Sequence, residues 1–138
     1  MLGLAVFAKS QGNQVERTFK GAFYSIVTGS AGPIETLSIN GIASHLGIVR
    51  NCEMTLDKSN HFAMSGFISA ANGDYFNFSC VPILVMTGPG RSGTMSGTVY
   101  ISGGTGRFTG CSGEAEMTGT FNMDQDWAKW TVEGTITY

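Results

Sequence analysis

Apolar and polar positions alternate with a period of two in short runs along this chain, and turn residues separate the runs. In 17–27, "RTFKGAFYSIV", Phe19, Phe23 and Val27 fall on one face and Lys20, Tyr24 and Ile26 on the other. The run 35–44 alternates around Leu37 and Ile39. In 48–57, Ile48, Arg50, Cys52, Met54 and Leu56 share one side, opposite Asn51, Glu53, Thr55 and Asp57. The run 61–69 aligns Phe62, Met64 and Ile68, and 75–86 aligns Phe76, Phe78 and Cys80, with Pro82 implying a bulge or an edge. Met95, Val99 and Ile101 align in 94–102, and Ala115, Met117 and Phe121 in 112–123. Trp130, Val132, Ile136 and Tyr138 align in 129–138. Between two of these runs, Asn72-Gly73 is the strongest hairpin signal in the chain.

These runs predict about eight strands, short connections and no helix to cover a sheet. A meander of that length leaves two unpaired edges, and closure removes them. The expected fold is all-β: one domain over residues 1–138, built as an eight-stranded antiparallel closed β-barrel. Eight strands enclose an interior that side chains just fill, or that holds one small ligand.

Composition sharpens this picture. The 138 residues include 20 Gly and only 3 Pro, and 13% are charged, for a net charge of -2. Eight Lys and Arg spread along the chain make no basic patch, so nucleic acid is not an expected partner. No apolar run is long enough for a membrane-spanning helix. Residues 1–14 open with "MLGLAVFA" and read either as a signal-peptide remnant, which would make the protein secreted or periplasmic, or as an extra N-terminal strand. Three cysteines, Cys52, Cys80 and Cys111, are too few for a disulfide scaffold. Three buried thiols are expected, with Cys52–Cys80 as the pair to test for a bridge.

The stretch "ISGGTGRFTG" (101–110) invites a phosphate-cradle reading. A dinucleotide site needs a helix after the glycines, but "CSGEAEMTGTFN" alternates at period two, and no Lys follows to make a P-loop. Gly103, Gly104, Gly106, Arg107, Phe108 and Gly110 are therefore expected to form a structural turn. Phe108 should plug the barrel end while Arg107 reaches a carbonyl or carboxylate.

The segment from Ile101 to Phe121 also resembles the glycine-rich signature of plant allene oxide cyclases and dirigent proteins. Gly103, Gly104, Thr105, Gly106, Phe108, Gly110 and Gly113 match it in order. With "SHLG" (44–47) and "AANGD" (70–74), the chain is similar to small bacterial proteins of unknown function with that barrel, over residues 70–138. The resemblance implies an allene oxide cyclase-like, calycin-like barrel packed as a trimer or dimer. It implies no activity, because the signature belongs to the fold. Of the cyclases' cavity residues only the cysteine has a matching position here, near Cys52; their glutamate and asparagines do not align with particular residues, and the Asp and Arg pattern of dirigent proteins is not recognisable.

Two functions follow from these expectations. The first is a binding module for a small apolar molecule in the lumen, contacted by Met54, Met64, Phe76, Phe78, Met95 and Trp130, with Met117 on the same apolar lining. The second is a cyclase or isomerase that folds a flexible hydrophobic substrate, with Arg50 and Cys52 as candidate catalytic residues. The first leads, because the inward positions are nearly all apolar; an Arg near a strand end also tends to send its head to water. No cofactor is expected. His45 and His61 lack further ligands at metal spacing, and "DQD" (124–126) reads as a solvated turn rather than a calcium loop. No Ser-His-Asp order or G-x-S-x-G elbow occurs. Self-association is expected through the outer face of 17–27, around Tyr24 and Ile26.

Overall fold

Alternating runs rich in Thr, Val, Ile and Phe become strands when one face finds an apolar interior. In the computed structural model, which describes residues 14–138, every predicted run does so. The strands are β1 (Glu16–Ala31), β2 (Ile34–Ala43), β3 (Gly47–Asp57), β4 (Ala63–Ser69), β5 (Tyr75–Cys80), β6 (Ile83–Met86), β7 (Ser92–Gly104), β8 (Ser112–Asn122) and β9 (Trp127–Thr137). Their order is β5-β4-β3-β2-β1-β9-β8-β7-β6, all antiparallel, and β5 also pairs with β7. That last pairing closes an eight-stranded barrel. The readings of residues 1–13 lie outside the described residues.

β5 and β6 are two parts of one run, both laid against β7. Ser79 faces Tyr100, and beyond the break Ile83 faces Ser96. The interruption falls at Val81-Pro82, where proline has no N–H for a ladder. β4 ends its pairing at Met64–Cys80, so β6 pairs only with β7 among the described residues.

The inward faces supply a continuous core from Phe19 to Ile136, with Ile39, Phe108 and Ile136 fully buried. Ser25 is the one polar side chain buried among the described residues. The connections fall into two sets. Residues 44–46, 70–74 and 105–111 lie at one end of the barrel; 32–33, 58–62, 87–91 and 123–126 lie at the other.

The alternation in β3 breaks once. Asn51 has φ +52, and the register steps from Ile39–Cys52 to Gly41–Val49, so Arg50 and Asn51 together oppose Asn40. This bulge shifts the facing pattern by one residue. Val49 and Cys52 both point inward and are buried, while Ile48 and Arg50 are exposed. The expected sharing of one face by Ile48, Arg50 and Cys52 is thereby corrected.

Candidate functional site: a methionine-lined cavity at one barrel end

The glycine stretch seals one end of the barrel. β7 runs to Gly104, a single turn of 3-10 helix follows over Gly106–Phe108, and β8 starts at Ser112. No α-helix begins where a dinucleotide would need one. Phe108 is completely buried, its ring edge-on to Phe76 (5.5 Å between centroids) and to Tyr138 (4.9 Å). Phe19 packs edge-on against Phe76 in turn, at 5.6 Å. The Arg107 guanidinium donates to the His45 carbonyl, and the Arg107 backbone N–H donates to the Asp74 carboxylate at 3.4 Å. The three connections at this end are thus tied to one another around an aromatic plug, with Arg107 reaching a carbonyl.

Among the described residues, the opposite end is open. A cavity of about 280 Å³ enters the barrel there. At about 30 Å³ per water molecule it has room for roughly nine waters. Met54, Met64 and Met95 line it together with Leu37, Leu56, Leu84 and Phe121. Unbranched, polarizable Met side chains adapt to varied apolar shapes. Phe62 and Trp127 also line it, and Phe62 holds φ +60, an unusual conformation for a bulky residue.

Charge is confined to the mouth. Glu35, Lys58, Arg91 and Asp126 line the cavity, with Lys58 Nζ 3.2 Å from Glu35 Oε1. Arg91 Nε donates to Asp124 Oδ1 at 2.9 Å, and the Arg91 backbone N–H donates to Asp124 Oδ2, also at 2.9 Å. Those two bonds, the backbone one first, hold the Asp124 carboxyl below its ordinary pKa.

The expected ligand residues therefore separate by level. Met54, Met64 and Met95 line the cavity; Phe76, Phe78 and Trp130 are buried but do not. Phe76 belongs to the aromatic plug. Trp130 fills the barrel beyond the cavity, its ring 4.5 Å from that of Phe23 and 6.2 Å from that of Phe78. Met117 is buried without lining the cavity.

The candidate catalytic pair is separated as well. Arg50 lies on the outer surface, and Cys52 is enclosed away from the cavity. Cys52 Sγ accepts from the Ser69 backbone N–H at 3.2 Å and lies 3.3 Å from Ser69 Oγ. All three thiols are buried and unbridged, so the Cys52–Cys80 pair forms no disulfide. Burial, and then the nearby Glu116 charge, push Cys80 up to about 11; burial also raises Cys111. A thiol held protonated is a poor nucleophile.

The mouth residues Glu35, Lys58 and Arg91 carry no local sequence signal, because they are ordinary charged positions at strand ends and in turns. Only the arrangement of connections brings them to one rim. Among the described residues, no three His, Cys, Asp or Glu side chains converge on a metal-sized site, and no helix is long and apolar enough to cross a membrane. No family model, curated protein or solved structure matches the chain.

Proposed function

We propose that the protein is a binding module that takes a small apolar molecule into the open end of the barrel. The observation that carries this reading is the cavity of about 280 Å³ with Met54, Met64 and Met95 on its wall and charged groups only at its rim. Apolar pockets with a few polar groups at the edge are the usual form of small-molecule sites. Transfer of apolar surface into such a space yields roughly 25 cal/mol per Å² buried. The cyclase alternative is not favoured, because the Arg50–Cys52 pairing on which it rested is split between the surface and the interior. The resemblance to the allene oxide cyclase and dirigent barrels supports this reading only as far as the fold.

Trp127 on the cavity wall provides the readout. Titration with an uncharged, environment-sensitive naphthalene dye should quench or shift Trp127 emission saturably. Met95→Trp, or Met54→Phe as the milder change, should fill the space and weaken binding more than tenfold. Circular dichroism should remain that of the wild type. Absence of saturable binding, or binding unaffected by both variants, would overturn the reading.

A further inference from the structure

Charge is distributed unevenly around the barrel. Between Ala63 and Gly106 the chain carries two charged residues, Asp74 and Arg91, although the whole chain holds eight basic and ten acidic ones. Both lie in connections at the barrel ends, so β4, β5, β6 and β7 carry no charge. The other sector is charged throughout: Lys20 pairs with Glu133 at 3.5 Å, and β8 adds Glu114 and Glu116.

The uncharged sector is also where the barrel has an open edge. β6 pairs with β7 on one side and has no partner on the other among the described residues. Its exposed side chains are large and apolar: Ile83 is 66% exposed, Val85 51% and Met86 55%. Val81 and Tyr100, equally exposed, line one surface groove with Ile83. Asp57 and Glu116 of the neighbouring strands stand at its margin, so the uncharged surface is that of β6 itself. Natural proteins normally guard such an edge with Lys, inward charges or a covering segment. Here Pro82 stands just before β6 and leaves Ile83–Met86 unguarded, and no charge occurs from Val81 to Gly90.

We infer that the β6 edge is a dimerisation surface, on which β6 of a second copy pairs antiparallel across a two-fold axis. The absence of charge is what favours a second copy. A two-fold axis brings each position opposite its own or a nearby counterpart, so a charge on the edge would meet its like. Depletion of charged residues is also the compositional mark of interface cores. The register follows from the side-chain faces. Leu84 points to the cavity while Ile83 and Val85 point out, so matching inner with inner sets Leu84 opposite Leu84 of the second copy. Ile83 then faces Val85 of the second copy, and these two exposed apolar side chains cover each other.

The surface around Tyr24 is a weaker candidate. Trp127 already stacks on Tyr24, with centroids 6.4 Å apart, and Lys129 Nζ lies about 6 Å from both rings. That ammonium guards the patch as an edge lysine would.

Sedimentation equilibrium of the full chain at micromolar concentration should give a species of twice the chain mass. Ile83→Lys and Val85→Lys should each raise the dimer dissociation constant more than tenfold, with unchanged far-UV circular dichroism; Tyr24→Glu should leave the dimer intact. If the lysine variants fold poorly, hydrogen exchange of the wild type decides, because amides of residues 83–86 should gain protection as concentration rises. A monomer at every concentration, whether the edge then stands open or is covered from within the same chain, overturns the inference. So does a trimer, or a dimer lost with Tyr24→Glu and kept with Val85→Lys.

Discussion

The indole N–H of Trp130 donates to the hydroxyl of Ser25 at 2.9 Å in the barrel interior, joining β9 to β1 across 105 positions of sequence. Ser25 is completely buried, and Trp130 is 5% exposed. Tryptophan is placed inside a core only where its N–H finds an acceptor, and this serine supplies it.

Ser25→Ala should therefore cost more than the loss of one hydroxyl suggests. It leaves a buried indole N–H without a partner, a loss of about 1–3 kcal/mol. Ser25→Cys, which keeps a weak acceptor, should lose less. Urea unfolding of both variants checks the order, and equal loss for the two would show that the hydrogen bond contributes little.

The glycines of the sealed end make different demands. Gly106 has φ +57, and a Cβ there would run into the Asp74 carboxylate. Gly104 has no positive φ, but its Cβ would strike the Tyr75 carbonyl oxygen on the paired strand. Gly106→Val should destabilise by about 1–3 kcal/mol through backbone strain, and Gly104→Val by at least as much through the clash. Gly104→Ala should already be harmful, because the obstructing atom is backbone and cannot rotate away. Thermal unfolding would count against this account if Gly104→Ala matched the wild type.

Period two in the sequence shows which face of a strand a residue occupies, and on that basis the closed barrel was legible. Met95, Val99 and Ile101 on β7 and Trp130, Val132 and Ile136 on β9 are all buried as their alternation requires. The same signal says nothing of height along the barrel axis. Phe76 and Met54 are equally inward, yet one packs into the plug and the other lines the cavity. Nor does it announce a bulge. Ile48 and Val49 are both apolar, so either alternation fits the start of β3, and only Asn51, a residue tolerant of φ > 0, hinted at the step. Arg50, which simple alternation turns inward, lies on the surface for that reason. The rim charges depend on which turns share an end, which is a property of topology rather than of any local run.

One of those rim contacts makes stability depend on pH. Asp124 receives the Arg91 backbone N–H and its guanidinium, and the Met123 N–H donates to the Arg91 carbonyl at 2.8 Å. Together they join the connection before β7 to the one after β8 at the cavity mouth. The folded-state pKa of Asp124 is lowered, so the ionised carboxylate is favoured by folding. Its contribution is full above the unfolded carboxylate value, about 4, and is lost as pH falls through the lower folded value. Asp124→Asn should remove this dependence. Its unfolding midpoint should fall less than that of the wild type as pH drops below about 4, so the two curves converge on acidification. Added salt should weaken the guanidinium part and spare the backbone bond, because the side chain is about half exposed. Parallel curves for the two proteins across that range would show that this contact does not couple folding to protonation.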